Sequence, residues 1–170
     1  EMTSSLVGSE MCIRDRYVTV DIKNLRLADD DEIENASNII SEELASIVDE
    51  KIGKQDEILV VGLGNQFVTP DALGPKVSQE IEVTRHLLKY APECVIKGAR
   101  SVCTIAPGVL GTTGIETLEI IKGVVDNIKP KLIIVIDSLA SKSIERISST
   151  IQISDQILLI FLRKQYPETA

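Results

Sequence analysis

The stretch "EILVVGLG", residues 57–64, decides the fold of this chain. It is a continuous apolar run, too short for a core helix, and it stops at two glycines. Such runs are typical of strands that are covered on both faces. The runs "SVCTIAP" at 101–107 and "KLIIVIDSLA" at 131–140 have the same character. Together these segments predict a parallel sheet.

Helical periodicity fills the segments between these runs. Mostly apolar residues recur there at spacings of three and four. They are Ile33, Ala36, Ile40, Leu44 and Ile47 in the first segment, Val77, Ile81, Thr84 and Leu88 in the second, and Ile115, Leu118, Ile121 and Val125 in the third. A further stretch, "YVTVDI" at 17–22, alternates like a half-buried strand. The expected fold class is therefore α/β, a three-layer α/β/α domain with a mostly parallel sheet and right-handed crossovers.

The composition of the chain limits the classes of function that it could have. The chain has 170 residues, 44% of them hydrophobic, which suits one domain with a sizeable core. Its net charge of -8 and its lack of a basic cluster argue against direct binding to nucleic acid or to anionic lipid. No apolar run approaches the roughly 18 residues that span a bilayer, so we expect a cytoplasmic protein. Cys12, Cys94 and Cys103 have neither metal-ligand nor redox spacing, so they are predicted to be reduced thiols, and we expect no metal or cofactor.

Both ends of the chain depart from this pattern. Within "GSEMCIRDR" at 8–16, the letters "EMCIRD" resemble a translated sequencing-adapter end, so residues 1–16 are predicted to be artefactual. The apolar run at 157–162 has no turn signal before it. We expect residues 156–170 to be a tail that does not belong to the fold, as a frameshift after about Asp155 would produce. Residues 17–155 then form the N-terminal part of a single domain.

Ligands of parallel sheets bind beyond the carboxyl ends of the strands, which selects three loops. These are "GNQFVTPDALGP", "APGVLGTTGIET" and "DSLASKSIER". The "GLGN" turn lacks the third glycine of a dinucleotide fingerprint, and no Gly-Lys-Ser/Thr follows, so its indication of a nucleotide is weak. In the first loop, the local sequence predicts a helix start, with Thr69 as N-cap, Pro70 at the first helical position and Asp71 in the first turn.

A second acid, Asp137, directly follows the apolar run "LIIVI". By itself it reads as a cap for a helix starting near Ser141. Together with Asp71 it suggests a pair of carboxylates in one crevice, where one proton is shared and one apparent pKa rises. One carboxylate can then activate water while the other polarises a carbonyl or protonates a leaving amine. The helix dipole favours Asp71 as the base and Asp137 as the acid.

Other groups have plainer interpretations. His86 is predicted to be a surface or packing histidine on a helix. "GTTGIET" at 111–117 reads as a turn and helix cap, although its glycines could also present N–H groups to a substrate. Arg85 and Arg146 could orient carboxylates, but solvated or ion-paired arginines fit the pattern better.

The chain also resembles a known family over residues 17–155. The matching segments are "YVTVDIKNLRLADDDEIENASNIISEEL", "VVGLGNQFVTPDALGPKV", "VTRHLLKYAPE", "IAPGVLGTTGIETLEIIKGVVDNIKP" and "VIDSLASKSIERISSTIQISD". They resemble the germination protease of spore-forming bacteria. This resemblance implies an atypical aspartic peptidase of the spore-core cytoplasm that degrades small acid-soluble spore proteins during germination. It further implies a zymogen with a self-cleaved propeptide, a homotetramer, and a fold similar to that of hydrogenase maturation proteases.

The resemblance implies site residues as well. It places the two catalytic aspartates on Asp71 and Asp137. The loops themselves, apart from the resemblance, predict contacts with substrate at Gly62, Gly64, Asn65, Gly111, Thr112 and Arg146. The family's Gly/Pro-rich continuation after "QISD" is missing, so the 170-residue polypeptide itself is expected to be inactive. The alternatives are a metal-dependent hydrolase that uses the same aspartates and a non-enzymatic nucleotide- or protein-binding α/β module.

Overall fold

The structure is a computed structural model that describes residues 17–22, 27–139 and 150–154. Its elements are β1 (Tyr17–Asp21), α1 (Asp30–Lys51), β2 (Glu57–Gly62), α2 (Leu73–Glu80), α3 (Arg85–Tyr90), β3 (Ser101–Ile105), α4 (Leu110–Thr113), α5 (Thr117–Ile128), β4 (Leu132–Ile136) and β5 (Thr150–Ser154). Short 3-10 turns cover Thr69–Asp71 and Pro92–Cys94. These elements divide into two compact units. One takes its described residues from 17–50 and 150–154, and the other is Lys51–Leu139.

In the first unit, β1 pairs antiparallel with β5 and α1 supplies the helix. Val20, Ile22 and Ala36 form its buried cluster. The predicted amphipathic helix is confirmed, and a capping box starts it. The N–H of Glu32 donates to Asp29 Oδ1 at 2.8 Å, and the N–H of Asp29 donates to Glu32 Oε2 at 3.3 Å. The acids at the start of α1 therefore have a structural role.

The second unit contains the predicted parallel sheet. Its strand order is β3-β2-β4, and β2 pairs parallel with both neighbours. The central position of β2 explains its unbroken apolar run, since Ile58, Leu59, Val60 and Val61 are all buried.

Helices cover both faces of this sheet. Leu59 and Val61 cluster with Ile121 of α5 on one face. Gly62 alternates to the other face, where a Cβ would lie 2.1 Å from Ser78 Oγ and 2.2 Å from the carbonyl oxygen of Gly74, both in α2. The crossover from β2 leads to β3 on one side of it in the sheet. The crossover from β3 leads in the opposite direction across the sheet, to β4 on the other side of β2. Helices on opposite faces therefore give both crossovers the same hand, as right-handed connections require.

One predicted helix is wrong. The spacing of Val77, Ile81, Thr84 and Leu88 favours a single helix, but α2 ends at Glu80 and Ile81 adopts an extended backbone. Thr84 is bound to β3 instead. Its N–H donates to the carbonyl oxygen of Val102 at 3.0 Å, and its Oγ1 accepts the N–H of Val102 at 3.0 Å. This pairing interrupts the helix, and α3 begins only at Arg85. The tail run at 157–162 lies outside the described residues.

Candidate active site

The carboxyl ends of β2 and β4 lie side by side in the sheet. Gly62 and Ile136 are register partners, and the N–H of Leu63 extends the pairing by donating to the carbonyl oxygen of Ile136 at 2.8 Å. In a doubly wound sheet whose first strands have this order, the switch point lies between these two strands. The loop carrying Asp71 follows β2, and Asp137 directly follows β4. Both predicted acids therefore lie beside the switch point of one sheet.

Asp71 is half-buried and held by the main chain of its own loop. The N–H of Asn65 donates to Asp71 Oδ2 at 2.7 Å and to the Asp71 carbonyl oxygen at 3.1 Å. Gly64 has a φ of +117°, which favours glycine, and a Cβ there would lie 2.0 Å from the Asp71 carbonyl oxygen. The carboxylate is thus turned back toward the end of β2.

The predicted N-cap role of Thr69 is wrong. Val68 occupies the N-cap position of the 3-10 turn Thr69–Asp71, and no side chain caps that turn. The following helix α2 has Ala72 at its N-cap, also without a side-chain bond. Pro70 does lie at the start of the 3-10 turn, as its fixed φ favours. Asp71 therefore belongs to a separate turn that precedes α2.

Asp137 is exposed as a residue, but its carboxyl group is partly withdrawn from water. Partial burial raises its pKa above the usual 3.8, the hydrogen bond from the N–H of Ser138 to Oδ1 at 2.7 Å opposes the rise, and the charge of Asp71 raises it further. The two carboxylates are therefore close enough to repel one another. The alternative helix cap concerns Ser141, which lies outside the described residues.

Gly74 brings the two strand ends together, a role that was not predicted from the sequence. A Cβ on this residue would lie 2.2 Å from the carbonyl oxygen of Leu63 and 2.5 Å from that of Ile136. The first turn of α2 therefore contacts the ends of both β2 and β4, which only glycine permits. The "ALGP" that opens α2 is the signal that could have identified it.

The remaining candidate residues have mixed surroundings. Space at Gly62 is filled by α2, whereas a Cβ on Gly111 would meet nothing within 4 Å. Thr112 lies in α4, and its Oγ1 donates to the carbonyl oxygen of Val109 at 2.9 Å. Arg146 lies outside the described residues. The role of these residues in substrate contact stays a prediction.

Two plainer predictions are confirmed. Arg85 is ion-paired, with its Nε 3.1 Å from Glu57 Oε1. His86 is exposed on α3. Neither residue belongs to the loops at the switch point.

Three further predictions concern metal sites, membrane spans and cysteines in the described residues. Among them, no three His, Cys, Asp or Glu side chains converge as a metal site would require. No helix in the same residues is long and apolar enough to cross a membrane. Cys94 and Cys103 are free thiols, as predicted. Cys12 lies outside the described residues.

Comparison with known proteins gives a consistent result. A family model described as germination protease matches residues 7–158. The germination protease of Clostridium acetobutylicum is 51% identical over 140 residues, covering 82% of this chain and 43% of that protein. Those of Caldanaerobacter subterraneus and Bacillus subtilis are 52% and 48% identical over 141 residues, covering 82% of this chain and 42% and 38% of theirs. The chain thus spans about two-fifths of its relatives' length, and it belongs to the germination protease family.

Proposed function

We propose that this chain supplies the catalytic carboxylates of an endopeptidase in which Asp71 and Asp137 activate water. The observation that carries the proposal is the juxtaposition of the two acids at the ends of neighbouring parallel strands. The electrostatic effect of Asp71 on the pKa of Asp137 supports it, because a dyad needs two interacting carboxyls.

The unlike surroundings of the two carboxyls suggest unlike roles. Asp137 has the raised pKa and so holds a proton more readily, which suits a general acid. Asp71 receives an N–H donor from Asn65 and is fixed beside it, which suits an oriented carboxylate base. Asp71 would take a proton from a water molecule while the oxygen of that water attacks the peptide carbonyl carbon. Asp137 would polarise the carbonyl and pass its proton to the leaving amine, with no covalent intermediate.

Family membership supports the biological setting of this chemistry. The proposed substrates are small acid-soluble spore proteins, cleaved in the spore core at germination. We also propose the other family properties for the complete protein: a zymogen with a self-cleaved propeptide, a homotetramer, and a fold related to that of hydrogenase maturation proteases. The three-layer arrangement of the Lys51–Leu139 unit is compatible with that fold.

The test uses a complete protein, because this chain spans about two-fifths of its relatives. In a chimera, the 140 matched residues replace their counterparts in the clostridial relative. Asp71→Asn and Asp137→Asn should each lower the rate of spore-protein hydrolysis by about 10²- to 10⁴-fold, the usual contribution of a general acid or base. Asp126→Asn is a matched control, since Asp126 is exposed on α5.

Thermal melting shows whether each variant of the chimera remains folded. Full activity in a folded Asp71→Asn or Asp137→Asn variant would contradict the dyad. The alternatives are separated by two further measurements. A metal-dependent hydrolase loses activity on chelation and recovers it with added metal, and a binding module is stabilised by a ligand without any turnover.

A further inference from the structure

We propose that Gly64 and Asn65 are positioning residues for Asp71. The N–H of Asn65 holds one oxygen of the carboxylate, and glycine at position 64 allows the two segments to meet. This inference rests on the proposed function, because it names the device that orients the base of that dyad.

The loop between Asn65 and Asp71 is closed by its own hydrogen bonds. The N–H of Asn65 donates to both Oδ2 and the carbonyl oxygen of Asp71. The N–H of Val68 donates to the carbonyl oxygen of Asn65 at 3.0 Å, and the N–H of Asp71 donates to the carbonyl oxygen of Val68 at 2.8 Å. The N–H of Phe67 donates to Asn65 Oδ1 at 3.0 Å. Asn65 is therefore the residue on which this loop closes.

Gly64 makes the closure sterically feasible. A Cβ on it would lie 2.0 Å from the Asp71 carbonyl oxygen and 3.1 Å from Asp71 Oδ1. Its φ of +117° also lies in a region that side-chain-bearing residues rarely adopt. Any larger residue would push the backbone of Asp71 away from the end of β2.

This arrangement separates positioning from substrate binding. The N–H of Asn65 is already occupied by Asp71, so a substrate carbonyl would have to compete for it. Within the described part of the chain, Asp71 Oδ1 accepts no recorded hydrogen bond, which leaves this oxygen for a water molecule. A device that fixes one oxygen and presents the other acts on the rate of the chemical step, because displacement of a catalytic group by about 1 Å can cost 10²-fold.

The test compares two substitutions at Asn65 in the same chimera. Asn65→Pro removes the N–H, whereas Asn65→Ala keeps it and loses only the side-chain bond to Phe67. We expect Asn65→Pro to lower kcat by about 10²-fold with KM changed less than about twofold. Asn65→Ala should retain at least about ten times the kcat of Asn65→Pro. A raised KM with an unchanged kcat in Asn65→Pro would overturn the inference and make Asn65 a substrate contact.

A spectroscopic measurement keeps the inference testable if Asn65→Pro fails to fold. The amide proton of Asn65 should move upfield by NMR when Asp71 is replaced by alanine, because its carboxylate acceptor is lost. An unmoved resonance would show that the hydrogen bond is missing. The two proposals also fail differently. Activity in Asp71→Asn contradicts the dyad, whereas an inactive Asp71→Asn beside a fully active, folded Asn65→Pro contradicts only the positioning role.

Discussion

Asp71 and Asp137 follow neighbouring strands of one sheet, yet the chain holds them by different means. Asp71 comes nine residues after β2 and is fixed by a main-chain donor from across its loop, the N–H of Asn65 at 2.7 Å. Asp137 comes directly after β4, and its recorded hydrogen bond is from the N–H of the next residue, Ser138. Strand order explains why the two acids lie at the same edge of the sheet. The backbone around each acid explains why their carboxyls differ.

The difference shows how identical side chains come to have unlike surroundings. Partial burial raises the pKa of Asp137, the hydrogen bond from the N–H of Ser138 opposes the rise, and repulsion from Asp71 adds to it. Asp71 keeps a donor on Oδ2 and is anchored by its own backbone as well. An oriented carboxylate beside a carboxyl with a raised pKa is the asymmetry that the proposed acid–base roles require.

The largest expected effect comes from separating the two strand ends. Gly74→Ala places a methyl group 2.2 Å from the carbonyl oxygen of Leu63, so α2 must move off β2 and β4. We expect the free energy of unfolding to fall by about 3 kcal/mol, the cost of overpacking a tight contact. Gly123→Ala is the matched control, since a Cβ there meets nothing within 4 Å in the middle of α5. In Gly123→Ala the free energy of unfolding should rise by about 0.5 to 1 kcal/mol. Equal stability of both variants in denaturant unfolding would contradict the contact.

A smaller effect distinguishes the two acids directly. Asp71→Ala removes the carboxylate acceptor of the Asn65 N–H but keeps the Asp71 carbonyl oxygen, so it should lower the free energy of unfolding by about 0.5 to 1.5 kcal/mol. Asp137→Ala removes a local bond at an exposed residue and should change it by no more than about 0.5 kcal/mol at pH 7. Chemical denaturation of both variants measures the difference. Similar losses would mean that the loop does not hold Asp71 in the way described.

The smallest effect is a pH dependence. Because the folded state raises the pKa of Asp137, it binds this proton more tightly than the unfolded chain does. The associated stabilisation is complete below the usual value of 3.8 and is lost as the pH rises through the elevated pKa. Asp137→Asn lacks this loss, so it should gain stability relative to the unsubstituted chain as the pH rises from acid to neutral. A constant difference across that range would contradict the elevated pKa.

Much of the sheet could be predicted from the sequence, because its signal is local. The apolar run at 57–64 indicated a doubly covered strand, and β2 is central and buried. Features that depend on distant partners could not be predicted in this way. Helical spacing across Ile81 continued into Thr84, but Thr84 is bound to β3. The strand β5 exists through its pairing with β1, which is far away in the chain.

The site shows the same limit. The rule that ligands bind beyond strand ends was enough to pair Asp71 with Asp137. The donor that holds Asp71 is a backbone N–H of Asn65, and no residue type encodes the direction of a backbone group. Gly74 is needed because of the carbonyl oxygens of Leu63 and Ile136, whose positions follow only from the assembled strands. Thr69 is a residue type that often caps helices, but it is the first residue of the 3-10 turn, and Val68 occupies the N-cap position.

The most direct test of the dyad is a pH titration of the Asp137 carboxyl group. The ¹³C chemical shift of its carboxyl carbon is measured by NMR in the unsubstituted chain and in Asp71→Asn. We expect the Asp137 midpoint to lie above 3.8 in the unsubstituted chain and to fall in Asp71→Asn, because one cause of the elevated pKa is the charge of Asp71. Any elevation that persists in Asp71→Asn measures the part due to burial. An Asp137 midpoint that is the same in both chains would show that the two carboxyls do not interact, and it would contradict the dyad.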